Sequence, residues 1–444
     1  MTPRLRRAVI AVTLALTVTI ASAGCGPDDA ATPDEPDTAA PDDPSAPDDT
    51  NGPDDPEPPV SDTSEPSDEP DDTGDDPDEP APPGPQTAAV WIHLFDDTLK
   101  DAESIHRSVD RAVDAGVDTL LVQVVRRHDA YYPSQVLPQT PDDQLAEDLD
   151  VVETVLAAAD GRASVHAWIG VAPAWHGVYE ELEEPDGWVW SEHGPDAPVD
   201  DRWVTRTADG VWTDYLDVGL DAVHAHVAAV ARELVERYPL DGVHLDYVRY
   251  RDAASGYHPD AVAAWQAATG RDDVPEPDDA SWSDWRRGRL EVLLDRVVDE
   301  VGEVDPDAEV SVAAVTWGQP PAGDGLAGTR GYDDALQDWA AWVRDGRVDV
   351  VYPMNYFRAF EPEAAAWFDG WIDYEAALQP AEAADGHARV VPGIGGWLNS
   401  GQDVVDQLTE ACRVSGAVAL YSFQQPADDD TALDRLLAEP CERP

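Results

Sequence analysis

Asp246 is the residue whose setting best fits acid–base chemistry. It lies in Asp241-Gly-Val-His-Leu-Asp246-Tyr-Val-Arg249-Tyr250. Side chains alternate along a strand, so His244 and Asp246 share one face and Val243 and Leu245 the other. If this strand belongs to a closed barrel, one of those faces is the interior. Asp246 then stands at the C-terminal mouth, His244 lies one layer beneath it, and Asp241 begins the strand at the opposite, structural end. A carboxyl at a mouth is suited to act as general acid or nucleophile. An aspartate that orders the following loop through Arg249 is the other reading of the same residues.

Further polar groups fall at the ends of other apolar runs. Arg126, Arg127, His128 and Asp129 follow one, His166 and Trp168 lie in another, and Tyr352, Asn355 and Tyr356 close a third. Trp397 follows a fourth, and Ser422 and Gln424 end the last. Such a rim can hydrogen-bond hydroxyls and stack on sugar rings, which suits a carbohydrate cleft better than a phosphate or hydride site. Most glycosidases use two carboxylates, about 5–5.5 Å apart for retention and about 6.5–9.5 Å for inversion. Asp129, Asp217 and Glu361 are the candidate partners of Asp246. On a substrate with N-acetyl groups, the acetamido oxygen can replace the second carboxylate. No His pair has ligand spacing and no cysteine pair adjoins a histidine, so neither metal nor cofactor is expected.

Eight strand-like segments alternate with helical ones to position these groups. The strands read as Ala89–Leu94, Thr119–Val125, Ser164–Val171, Gly242–Tyr247, Glu309–Thr316, Val348–Asn355, Arg389–Ile394 and Ala417–Phe423. The helices read as Ala102–Ala115, Leu145–Ala159, Ala222–Tyr238, Arg287–Val301, Tyr332–Arg344, Glu363–Leu378 and Asp403–Val414, with Thr431–Leu437 last. Eight such units predict an α/β fold of the (β/α)8, or TIM-barrel, type. No glycine-rich fingerprint follows the first strand, which weighs against a dinucleotide site. Two connections, Ala172–Gly219 and Arg249–Asp284, are long enough to build a cleft at the C-terminal mouth. They carry Trp175, Trp188, Trp190, Trp203, Trp212, Trp265 and Trp282, of which about half are expected to pack inside the loops themselves.

The sequence resembles the glycosyl hydrolase-like 10 family over residues 88 to 426. The resemblance rests on Gly116-Val-Asp-Thr-Leu-Leu-Val-Gln-Val, Asp129-Ala-Tyr-Tyr-Pro-Ser134, His166-Ala-Trp168 and Leu216-Asp-Val-Gly219. It continues through Asp241-Gly-Val-His-Leu-Asp246, Trp285-Arg-Arg287 and Val348-Asp-Val-Val-Tyr-Pro353. It implies a TIM barrel with Asp246 as catalytic carboxylate and Asp129, His166, His244 and Asn355 as site residues. A branch of the family is implicated in cleaving peptidoglycan glycan strands that lack stem peptides. Two departures stand out. Many members have a second aspartate where this chain has Tyr247, and Leu-Asp-Pro-Gly reads here Leu-Asp217-Val-Gly.

The rest of the chain is read from composition. Residues 1–24 have Arg4, Arg6 and Arg7, a short apolar run and then Ser22-Ala23-Gly24, which reads as a signal for export. Cys25 follows, as in lipoproteins lipidated on that thiol, although Ser22 replaces the usual large aliphatic residue. Residues 27–86 hold 17 Asp, 5 Glu and 17 Pro without a Lys or Arg. Together with Cys25, residues 25–86 read as a disordered acidic, proline-rich tether, with a reach of up to roughly 190 Å. Residues 87–444 read as the barrel. The formal charge of −64 repels nucleic acid and anionic membrane surfaces, leaving a lipid anchor as the expected membrane contact. Cys412 and Cys441 are expected to pair in an oxidising compartment. The expectation is thus a monomeric exported hydrolase of a cell-wall or extracellular polysaccharide. The alternative from the same residues is a tethered sugar-binding barrel without catalysis.

Overall fold

The computed structural model describes residues 87–175, 185–379 and 386–424. The expected signal, Cys25, the tether, Cys441 and the Thr431–Leu437 helix lie outside the described residues. The described part begins with β1 (Thr87–Ile92), α1 (Ala102–Asp114), β2 (Thr119–Val125), α2 (Val151–Ala159) and β3 (Ser164–Gly170). The long third connection holds α3 (Val189–His193) and a hairpin of β4 (Val204–Arg206) and β5 (Trp212–Leu216). Next come α4 (Asp221–Arg237), β6 (Gly242–Asp246), α5 (Pro259–Thr269), α6 (Ala280–Val304) and β7 (Glu309–Val315). The last third contains α7 (Arg330–Asp333), α8 (Trp339–Asp345), β8 (Val350–Asn355) and α9 (Pro362–Leu378). It ends with β9 (Arg389–Val390), β10 (Gly393–Gly395), α10 (Gly401–Ser415) and β11 (Ala417–Tyr421).

The strands pair in parallel in the order β10, β11, β1, β2, β3, β6, β7, β8, and β10 also pairs with β8, which closes the ring. Short β9 and β10 together form the seventh stave, interrupted at Pro392, which has no N–H for the ladder. This is the expected (β/α)8 barrel. Its staves are buried on both faces and rich in Val, Ile and Leu, as parallel strands between two packed layers must be.

The acidic composition is put to structural use. Asp101, Asp150 and Asp279 cap α1, α2 and α6, each accepting a backbone N–H of the first turn. Asp118, Asp241 and Asp349 stand just before β2, β6 and β8. Each accepts a backbone N–H at the start of a neighbouring stave: Ala88 at 3.1 Å, Val165 at 2.8 Å and Val310 at 2.8 Å. Asp241 therefore ties β6 to β3 at the N-terminal end of the barrel.

Several element boundaries differ from the sequence reading. The Tyr332–Arg344 stretch is two short helices, because Leu336 takes a left-handed φ of 59° between them. The fourth connection contains α5 and the first turn of α6, which bury Trp265 and Trp282 completely. Cys412, on α10, is buried and disulfide-bonded.

The barrel interior is layered. Trp91, Trp168, Tyr352, Val350 and Leu121 pack together across its axis. Gly393 makes room for this layer, since a Cβ there would sit 2.8 Å from the Trp91 ring.

Candidate active site

The inward face of β6 carries Gly242, His244 and Asp246 in ascending order, so the barrel sorts these residues by depth. His244 is fully buried in the middle layer. Its Nε2 accepts the Trp91 indole N–H at 3.0 Å, which leaves Nδ1–H to donate to Ser311 Oγ at 3.0 Å. Burial holds the imidazole far below its usual pKa, and it is neutral.

Asp246 sits one step above, 8% exposed. Burial raises its pKa from 3.8 to about 6. Three groups oppose that rise: the Tyr247 backbone N–H, 2.7 Å from Oδ1, the Arg249 charge and the Trp168 indole N–H. The indole is directed at the carboxyl but stays outside full hydrogen-bond geometry. Tyr247 has a left-handed φ of 58°, and at this sharp turn its N–H meets the preceding side chain. A buried carboxyl that holds its proton near pH 6 can deliver that proton to a leaving oxygen.

Aromatic side chains surround this acid. Tyr421, Tyr356, Tyr247 and Tyr215 all lie within its electrostatic reach. Trp397 packs edge-on against Tyr356 and Tyr421, at 4.9 and 5.3 Å between ring centres. The Arg249 guanidinium lies over the rings of Tyr247 and Trp317, at 4.9 and 4.7 Å. On the far side, Arg126 covers the exposed Phe95 ring at 3.9 Å, and burial lowers its pKa to about 10. Arg126 and Asp96 both act on Tyr421, which joins them to the same mouth.

The structure thus gathers Asp246, Trp168, Arg249, Tyr356, Trp397 and Arg126, and it separates the other candidates from them. Asp129 is completely buried and occupied by Arg127, through the backbone N–H at 3.1 Å and the guanidinium at 2.9 Å. Asp217 is also buried, accepting from Thr205 Oγ1, Gly219 N and His258 N, and it fastens the two long loops to each other. Glu361 is exposed beside α9 and paired with Arg358 at 3.1 Å. These three carboxylates are corrections to the expected second acid: two are consumed by loop structure and one lies on the surface.

Four expected binding residues are corrected as well. His166 faces the N-terminal end of the barrel, in a cavity of about 610 Å³ lined also by Asp241, Glu309 and Arg389. His244 and Tyr352 belong to the packed layer below Asp246. Asn355 points outward to α9, where its Nδ2 donates to both oxygens of buried Glu375 at 3.0 Å. It alternates with inward Tyr352 and Met354, so the strand period, counted from Tyr352, would have placed it outside.

Sequence reasoning missed Tyr421, Tyr215, Trp317, Phe95 and Asp96. Four of them sit at or just after stave ends. Tyr215 comes from the hairpin, which periodicity did not reveal. Of the loop tryptophans, Trp188, Trp265 and Trp282 are buried. Trp175 stacks on Trp190, and Trp203 on His193, within the same connection.

Comparison with known proteins gives the chain's family and fold. The model of the family described as glycosyl hydrolase-like 10 matches residues 86–377, more than half of the chain. Glycosyl hydrolase DigH of Escherichia coli K12 is 26% identical over 259 residues, covering 54% of this chain and 55% of DigH. Glycosyl hydrolase YngK of Bacillus subtilis is 24% identical over 285 residues, covering 62% of this chain and 52% of YngK. The chain therefore spans about half the length of the curated relatives it matches. Among solved structures, the PgaB (BpsB) glycoside hydrolase domain of Bordetella bronchiseptica aligns with a TM-score of 0.55 at 15% identity. It covers 80% of this chain and 99% of that domain. The catalytic domain of a Paenibacillus polymyxa β-amylase aligns equally well, at 11% identity over the same shares, which shows the fold alone. With its barrel, its β6 motif and the family match over residues 86–377, this chain belongs to the glycosyl hydrolase-like 10 family.

Proposed function

We propose that this chain is an exported glycoside hydrolase of a cell-wall or extracellular polysaccharide, with Asp246 as its proton donor. The observation that carries the reading is a carboxyl with a pKa of about 6 at a barrel mouth framed by aromatic rings and two arginines. The protonated carboxyl gives its proton to the glycosidic oxygen as the C–O bond breaks. The carboxylate left behind is stabilised by the Tyr247 N–H, the Trp168 indole and Arg249. Trp397 and Tyr356 offer flat faces to the CH side of sugar rings. Cys25 would carry the lipid that holds the chain to the outer face of the membrane, and residues 27–86 would be its spacer. Wall glycan strands without stem peptides fit this placement.

The nucleophile is the open half of the chemistry. Among the described residues no neighbouring carboxylate contributes to the raised pKa of Asp246, and the three expected partners are engaged elsewhere. A substrate acetamido oxygen attacking the anomeric carbon meets this arrangement with one enzyme acid. The same observation also favours a second reading, a barrel that binds glycan without cutting it. Reducing-end release from purified wall glycan strands, with and without stem peptides, separates the two. New reducing ends that vanish in Asp246→Asn support the hydrolase. Saturable binding with no new ends at any pH from about 5 to 8, the range in which such an acid titrates, would replace it with the binding protein.

A further inference from the structure

The first stave delivers a second carboxylate to the mouth. Trp91 and His93 point inward from it, Trp91 to the His244 ring at 5.8 Å and His93 to the Tyr421 ring at 6.0 Å. Past Leu94 the chain turns at Asp96, whose Oδ1 accepts the Thr98 N–H at 2.9 Å and a Gln424 Nε2–H at 3.3 Å. Gln424 also donates to the His93 carbonyl at 3.2 Å, so Asp96 is held between the ends of the first and last staves. Its side chain is half-buried, and Oδ2 takes no hydrogen bond among the described residues. Burial lifts the Tyr421 hydroxyl well above its usual range, and the Asp246 and Asp96 carboxylates both add to that. In the ring of staves β6 lies three places from β1, so the two aspartates approach Tyr421 from opposing sides of the mouth. Asp214, the carboxylate beside Tyr215, is instead occupied by Arg251 at 2.8 Å.

A glycosidase acid works with a nucleophile about 5–5.5 Å away or with a base about 6.5–9.5 Å away, and only the wider spacing admits a water. A carboxylate at the shorter distance would press on the pKa of Asp246, and among the described residues none does. What fits is attack by an acetamido group of the substrate, or by a water held by a more distant base. We propose that Asp96 is that base: its Oδ2 takes a proton from a water that attacks the anomeric carbon opposite the leaving group, so that hydrolysis inverts the anomeric configuration. The inference rests on the hydrolase reading and supplies its second catalytic group. The water oxygen bonds to the anomeric carbon as the bond to the glycosidic oxygen breaks. The electron pair of the broken bond goes to that oxygen, which takes the Asp246 proton. One water is consumed, Asp96 ends protonated and Asp246 ionised, and proton exchange with solvent restores both. The two donors on Oδ1 fix the carboxylate and leave Oδ2 for the water.

The test uses the full chain on purified wall glycan strands, with and without stem peptides. Proton NMR of the first-formed reducing ends should show the anomer opposite to the linkage that was cut. Asp96→Asn keeps an oxygen for the Thr98 and Gln424 donors, because asparagine caps as well as aspartate, but it cannot take a proton. Its kcat should fall by about 10²–10⁴-fold with KM within about threefold of wild type. Asp96→Ala should be as slow and should recover at least about tenfold in formate, which supplies the missing base, whereas Asp246→Asn should gain nothing from formate. A residue that only shapes its loop would show no formate rescue. Products of retained configuration overturn the inference in favour of the acetamido attack. So does an Asp96→Asn protein whose kcat stays within about threefold of wild type while Asp246→Asn is inactive. Strands from which the wild type releases no reducing ends overturn the hydrolase reading, and this inference with it.

Discussion

Replacing Asp246 by asparagine should abolish turnover and, at neutral pH, make the fold more stable. The carboxyl is 8% exposed, and its pKa is raised from 3.8 to about 6. The native state therefore binds this proton more tightly than the unfolded chain does. Stability from this group is complete below pH 4 and falls as pH rises towards 6. Above that it stays lower by about 3 kcal/mol, since each pKa unit is worth 1.36 kcal/mol. Asparagine has no charge to desolvate, and its carbonyl oxygen can still accept the Tyr247 N–H. Its amide group faces Arg249 and Trp168 less favourably, which leaves a net gain of about 1–3 kcal/mol. The assay is urea unfolding of wild type and variant at pH 4, 5, 6 and 7.5. The difference between the two proteins cancels every other titrating group. It should be near zero at pH 4 and reach its full value above pH 6. Glycan cleavage per folded molecule should meanwhile fall by about 10²–10⁴-fold. A stability difference that does not change between pH 4 and 7.5 would refute the desolvated-acid argument. Undiminished turnover would remove Asp246 from the mechanism.

Three further outcomes follow from the same geometry. If the protonated form of Asp246 is the active one, kcat/KM falls about tenfold per unit above a midpoint near pH 6; a rate that rises through that range would contradict the acid role. Asn355→Ala removes the donor to the buried Glu375 carboxyl and should cost about 1–3 kcal/mol in urea unfolding. Its kcat should stay at the wild-type value, because the side chain faces α9 rather than the mouth. Cys412→Ser opens a loop of about 30 residues if Cys441 is the partner, a loss of roughly 3–4 kcal/mol in chain-entropy models. Peptide mapping of unreduced protein that recovers both thiols free would end that pairing.

The sequence made the barrel legible because its signal is redundant. Eight apolar runs, each followed by a helical period, survive errors of several residues at any one boundary. Depth was legible along β6 for a similar reason: alternation put His244 and Asp246 on one face and the chain direction put Asp246 above. The failures have one physical cause. Polarity at a strand end does not distinguish a site residue from one that its own loop requires. Asp129 and Asp217 are polar because buried turns need acceptors for their N–H groups. Asn355 is polar because a buried carboxyl faces it from α9, twenty positions later in the chain. Tyr215 and Trp317 reach the mouth through a hairpin and a turn whose geometry no periodic pattern records.

Tyr247 links the backbone of the site to its acid. Many members of the family have aspartate at this position, and the structure supplies a reason. The residue is left-handed, with φ at 58°, a conformation that aspartate tolerates and a bulky aromatic adopts only at a cost on the order of 1 kcal/mol or more. That cost must be offset by what the ring does, and the ring lies under the Arg249 guanidinium. Tyr247→Asp therefore changes two things in opposite directions. It relaxes the turn, and it replaces an aromatic face with a carboxylate two residues before Arg249, whose own N–H already bonds the Tyr247 carbonyl at 2.8 Å. Arg249 would gain an internal counter-ion. The variant should then match or exceed wild type in stability in urea or heat unfolding, because the turn relaxes. Turnover should fall, because the new carboxylate draws Arg249 away from the Asp246 carboxylate that it stabilises. A Tyr247→Asp protein that is less stable than wild type and keeps full turnover would show that neither the strained turn nor the hold on Arg249 matters here.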